Sequence, residues 1–216
     1  MLGASSCFDS SCSRCPRLAA FLAELKKSHP GYWNAPVPAF GDPDSRLLII
    51  GLAPGKHGAN ASGRPFTGDF AGILLYQTLF DLALATAAES TSADDGLRLL
   101  GCRITNAVKC LPPQNKPTTL EVQTCNRYLT SELEALPEGG VFLALGGLAH
   151  RAVLKALGLK QSRYAFGHGA IHELHDGRWL VDSYHCSRYN TQTRRLTPTM
   201  FRQAVAVAKR LAFAAK

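Results

Sequence analysis

Residues 46–69 read RLLIIGLAPGKHGANASGRPFTGD, and three kinds of local structure follow one another within and just beyond them. The first six residues are an almost unbroken apolar run, the pattern of a strand covered on both faces in a parallel sheet. A loop crowded with glycine and proline comes next. After Asp69 the segment FAGILLYQTLFDLALA sets apolar residues at three- and four-residue steps, which predicts a helix with a buried face. Strand, loop and helix in that order form the repeating unit of an α/β sheet.

The same order recurs on either side. Residues 102–108 predict a strand leading to a proline-rich loop, then a helix over 118–136 that Thr118 or Thr119 can cap. Residues 141–145 predict another strand, followed by a turn at Gly146 and Gly147 and a helix through Leu157. Residues 171–174 and 179–182 flank His175, Asp176 and Gly177 as a hairpin, and a last helix is expected from about 198 to 214. The expected fold class is therefore α/β: a single three-layer α/β/α domain over residues 1–216, with a mainly parallel central sheet of about four strands. Ligands of such folds collect in the loops beyond the carboxyl ends of the strands, where the polar motifs of this chain fall.

Hydrophobic residues make up 46% of the chain and charged ones 19%, and no apolar run approaches the roughly 18 residues that suggest a membrane span. The first 18 residues, MLGASSCFDSSCSRCPRL, lack a basic segment followed by a long apolar one, so a water-soluble, cytoplasmic protein is expected. The net charge of +8 favours polyanionic partners, although many basic proteins bind no nucleic acid. Seven cysteines in a reducing compartment are better explained as metal ligands than as disulfides. Cys12 and Cys15 form a CxxC unit directly before a helix that Pro16 can begin. Cys110 follows the second strand, and Cys125 sits in the helix beyond it. Four thiolates suit either a tetrahedral zinc or a [4Fe–4S] cluster, and spacing does not separate the two. Cys102 reads as a buried strand residue, and Cys7 is near enough to the CxxC to substitute as a ligand.

The loop at 51–69 is not a phosphate-binding P-loop, because Gly51 and Gly55 enclose three residues and Lys56 precedes His57 rather than Ser or Thr. No G-x-S-x-G element supports a hydrolase serine. Its glycines let backbone amides approach a planar ligand, Phe66 offers a stacking face and Asp69 a carboxylate at the start of the next helix. Those are the parts of a pocket for a flat heterocycle. Judged singly, Phe66 reads as a core anchor and Asp69 as a helix cap.

GLAPGKHGANASGRPFTGD at 51–69, ITNAVKCLPPQNKP at 104–117, HCSRYNTQTRRLTP at 185–198 and SSCSRCPRL at 10–18 occur in the order found in one family. The chain resembles the type-5 uracil-DNA glycosylases, relatives of the iron–sulfur type-4 enzymes. The resemblance implies a structural [4Fe–4S] cluster on Cys12, Cys15, Cys110 and Cys125. It implies a base pocket of Gly51, Ala53, Phe66, Asn106 and His185, with Asp69, His185 and Asn106 in catalysis. It also implies a monomeric enzyme that excises uracil, hypoxanthine and xanthine from double-stranded DNA, single strands remaining open, and leaves an abasic site. No lysine is placed for a Schiff base. The type-4 GEAPG motif has its Glu where this chain has Leu52, and the type-5 assignment moves the carboxylate to Asp69. The family's His-Pro-Ser-Pro motif is changed here at Cys186 and Arg188, which predicts a less rigid loop, and Arg188 or Tyr189 is expected to fill the gap left by the flipped nucleotide. His57, His150, His168, His172 and His175 read as surface or core residues. The alternative is a non-enzymatic nucleic-acid-binding module with a four-cysteine zinc site.

Overall fold

The computed structural model describes residues 8–214; Cys7 lies outside them. The sheet contains β1 (Phe40–Gly41), β2 (Leu47–Gly51), β3 (Cys102–Asn106), β4 (Val141–Leu145), β5 (Ile171–Glu173) and β6 (Trp179–Ser183), in the order β1-β3-β2-β4-β6-β5. The central β3, β2, β4 and β6 are parallel. The expected count of about four strands matches this parallel core and must be corrected to six for the whole sheet. The two further strands are short antiparallel edges: β5 is the first arm of the hairpin expected at 171–182, and β1 was not expected. β1, only Phe40 and Gly41, is too short to show a periodicity.

All five residues of β2 are buried, and its alternation assigns the two layers. Leu47 and Ile49 face α3 (Phe70–Asp81) and α7 (Pro198–Ala212), meeting Leu75, Leu79, Phe201 and Val205. Leu48 and Ile50 face α4 (Thr119–Glu134) and α5 (Gly147–Ala156), meeting Leu129, Leu133, Ala152 and Val153. The remaining helices are α1 (Pro16–Ser28), the single turn α2 (Ala59–Ser62) and α6 (Arg188–Gln192). No helix among the described residues is long and apolar enough to cross a membrane.

The open choice between Thr118 and Thr119 resolves to Thr118. Its hydroxyl accepts from the Glu121 amide at 3.2 Å, and Glu121 Oε2 accepts from the Thr118 amide at 2.7 Å, a reciprocal capping box. The α3 helix ends sooner than its apolar pattern suggests. Ala83 takes φ of 52°, and Leu84 and Ala85 leave the helix to be buried, Ala85 bridging Leu99.

One buried charge sits beneath the β3–α4 junction. Lys109 is 1% exposed, and its Nζ lies 2.8 Å from both oxygens of Glu132 while also donating to Thr105 Oγ1. Removing one partner of such a pair leaves an uncompensated charge. Glu132→Ala is expected to lower the unfolding free energy by about 3–5 kcal/mol, measured by urea denaturation.

Candidate active site and cysteine centre

A cavity of about 360 Å³ opens beyond the carboxyl ends of the parallel strands. Ala53, Phe66, Asp69, Asn106 and His185 line it, as do Gly146, Gly147 and Leu148 at the start of α5. Gly51, expected among the base-binding residues, does not line it. Gly51 lies behind the wall: a Cβ there would stand 2.6 Å from Phe66 Cζ and would collide with Asn106 Oδ1. Its role is to let those two side chains close on the strand end.

Asp69 holds both roles that its sequence position offered. It is the N-cap of α3, Oδ1 accepting from the Gly72 amide at 2.8 Å, and it also lines the cavity. A Cβ at Gly58 would sit 2.7 Å from Asp69 Oδ2, so the loop packs its bare backbone against the carboxylate. Burial pushes the Asp69 carboxyl above its ordinary range, against the lowering effect of the Gly72 and Ala71 amides. Burial pushes the His185 imidazole down to about 4, so the ring is neutral at pH 7. Phe66, held at φ of 56°, turns its ring to within 28° of parallel with His185, the centroids 5.9 Å apart.

Asn106 is 3% exposed, and its Oδ1 is buried with no hydrogen-bond partner among the described residues. An unpaired buried acceptor costs about 1–3 kcal/mol, a cost that a ligand carrying a donor relieves. A second feature was not singled out in the sequence. The first turn of α5 reaches the cavity with no side chain capping its amides, which leaves N–H groups and a positive helix end at the cavity. Its signal was the glycine pair directly after a buried strand. Asn115, also in the lining, takes φ of 56° inside a proline-rich loop and carried no readable signal.

The segment lacking the family's prolines is restrained by other means. Cys186 is fully buried, Ser187 caps α6, and Asn190 Nδ2 donates to the His185 carbonyl at 2.8 Å. At the start of α6, Arg188 lies over the Phe70 ring, 5.0 Å from its centroid, and Tyr189 is 70% exposed.

On the other side of Ala53, Cys12, Cys15, Cys110 and Cys125 surround one small apolar pocket with Leu18 and Tyr128. Two helices carry this set into place: Arg17 of α1 grips Glu121 of α4 with Nε–Oε1 of 2.8 Å and Nη2–Oε2 of 2.7 Å. The Lys109 amide lies 3.2 Å from Cys125 Sγ. Burial and the neighbouring thiols raise Cys110 to about 12, while burial, eased by the Lys109 amide, raises Cys125 to about 11. A cationic centre would be needed to hold them as thiolates. Four thiols gathered on one pocket are a donor set that a [4Fe–4S] cluster or a tetrahedral zinc ion takes.

A family model described as the uracil DNA glycosylase superfamily matches residues 38–209. The chain belongs to this superfamily. It is 50% identical over 206 residues to a type-5 uracil-DNA glycosylase of Thermus thermophilus, covering 93% of this chain and 94% of that protein. It is 44% identical to a type-5 uracil-DNA glycosylase of Pyrobaculum aerophilum, covering 86% and 82%. A type-4 uracil-DNA glycosylase of Archaeoglobus fulgidus is more distant, 31% identical with 78% and 70% covered. The superfamily span begins after Cys12 and Cys15, so the CxxC unit lies outside the matched region.

Because the folded chain holds the Asp69 proton more tightly than the unfolded chain, ionising Asp69 costs stability as pH rises from the ordinary carboxylate range toward neutrality. Asparagine caps a helix as well as aspartate and carries no charge. Asp69→Asn is therefore expected to melt above the parent at pH 7, the advantage shrinking as pH falls, as thermal unfolding at several pH values would show.

Proposed function

We propose that this protein excises uracil from DNA by hydrolysing its N-glycosidic bond, leaving an abasic site, and that hypoxanthine and xanthine are taken by the same edge chemistry. The unpaired Asn106 Oδ1 carries this reading. Uracil presents a ring N–H beside a carbonyl, and hypoxanthine and xanthine present the same pair. Cytosine and adenine place a bare ring nitrogen there, which would face Oδ1 lone pair to lone pair. A site built to receive a donor rejects a base without one far more strongly than a shape fit can. The type-5 names of the relatives support uracil as the substrate.

The target base must leave the stack, at a cost of a few kcal/mol that falls for mispaired or damaged bases. The net charge of +8 favours the DNA backbone as partner. Phe66 supplies a flat face to the extruded base. As the glycosidic bond breaks, positive charge grows on the sugar and negative charge on the base. Ionised Asp69 stabilises the cationic sugar and positions the attacking water, while neutral His185 and the uncapped α5 amides donate to the departing base. Tyr189 suits the vacated place in the duplex better than Arg188, whose guanidinium already rests on Phe70.

Cys12, Cys15, Cys110 and Cys125 would hold a [4Fe–4S] cluster that fastens α1, α4 and the loop after β3 together. The adjoining cavity and the type-5 names of the relatives weigh against a zinc module without catalysis. In this reading the protein works as a single-domain monomer in the cytoplasm, on double-stranded DNA.

Iron-loaded protein should make a uracil-containing duplex alkali-labile at the uracil, and Asp69→Asn should slow single-turnover excision by about 10²–10⁴-fold with iron content unchanged. The rate should fall on acidification through the raised Asp69 pKa, and stay level from there to neutrality because His185 is already neutral. A uracil duplex left intact by the iron-loaded protein would overturn the reading.

A further inference from the structure

Three side chains that neither the cavity nor the cysteine centre uses meet inside the sheet's far edge. His150 projects from α5, Asp182 from β6 and His172 from β5. One ligand atom from each lies within 4.8 Å of the other two. Asp182 is fully buried and His150 is 1% exposed. We propose that these residues form a binding site for a divalent transition cation of the zinc class.

The hydrogen bonding assigns the ligand atoms. His150 Nε2 lies 3.0 Å from the Tyr164 carbonyl oxygen, which can only accept, so Nε2 carries a proton. Nδ1 is thereby left facing Asp182 Oδ1 at 2.8 Å. Histidines that bind metals characteristically donate their second ring N–H to a carbonyl or carboxylate in this way. Without a cation, a proton shared between His150 and Asp182 satisfies one half of the cluster only. Asp182 Oδ2 and His172 Nε2 are both buried without a hydrogen-bond partner among the described residues, and they stand 3.4 Å apart. Two zinc ligands at bonds of about 2.0–2.1 Å in tetrahedral array are separated by about 3.3 Å. A cation would thus satisfy the two orphaned atoms and take the place of the proton at Nδ1, which leaves to solvent on binding.

The donor set is two imidazoles and a carboxylate, a set that zinc accepts with a water in the fourth position. The His172 side chain is 15% exposed, which provides the route by which a cation and that water reach the site. Aromatic rings shield the rest, Phe166 edge-on to His150 and Tyr164 edge-on to His172. The site also has a structural consequence for the neighbouring cavity. Asp182 lies three residues before His185, and His150 one turn beyond Gly147, so a bound cation would clamp β5, β6 and α5 behind the cavity wall.

Iron-loaded protein, freed of adventitious metal by a chelator and dialysed against buffered zinc, tests this by elemental analysis and thermal melting. The expected result is a single zinc per chain in addition to the iron, with a raised melting temperature. In His172→Ala, zinc affinity should drop by more than about 100-fold, since losing even an outer-shell partner costs 10–100-fold, and zinc should no longer shift the melt. Asp182→Asn should behave likewise with iron unchanged, and it keeps the test valid if either variant alone folds poorly. Failure of the parent to take up zinc, or equal uptake by a folded His172→Ala protein, would overturn the proposal. Neither outcome depends on glycosylase activity.

Discussion

Gly51 and Asn106 are paired across the carboxyl ends of β2 and β3, and a Cβ on Gly51 would collide with the Asn106 and Phe66 side chains that line the cavity. The pairing continues past the strands, the Ala107 amide donating to the Gly51 carbonyl and the Val108 amide to Leu52, both at 2.9 Å. The chain therefore leaves β3 in a fixed direction, with Asn106 on the cavity and Cys110 four residues later in the cysteine pocket. Ala53, two residues past Gly51, touches both sites. The cavity and the cysteine pocket are thus two ends of one short ladder, and displacement of either strand end would disturb both.

Around this ladder the protein concentrates polar groups that a stability argument alone would disfavour. Asn106 Oδ1 is buried without a partner among the described residues, burial pushes the Asp69 carboxyl above its ordinary range, and His185 is kept neutral. The layers behind them are the opposite: β2 and β4 are wholly buried and apolar, packed on helices from both sides. The strain of the site is carried by that inert platform, which is how a shallow set of loops holds a preorganised geometry.

The parallel core was legible because buried strands show as continuous apolar runs, and the helix starts because Asp69 and Thr118 are caps whose chemistry is local. The candidate site was legible in its side chains, since Phe66, Asp69, Asn106 and His185 all reach one cavity. Gly51 packs behind Phe66 and Asn106 rather than in the lining, a detail the motif does not carry, because it records that a glycine is needed without recording what approaches it. The burial of Lys109 with Glu132 depends on a turn of α4 meeting the end of β3, a tertiary coincidence with no local pattern. The same holds for His150, His172 and Asp182, since each histidine read singly as a surface or core residue and only the fold brings α5 to the β5–β6 hairpin.

In the proposed function, Asn106 recognises a base by accepting its ring N–H. Single-turnover excision of uracil and of N3-methyluracil from the same position in one duplex tests it most directly, because methylation removes that donor and leaves the glycosidic bond in place. The rate should be lower by about 10²-fold or more for the methylated base, the size expected when a buried acceptor is left unpaired against an intruding group. Equal rates for the two bases would contradict it.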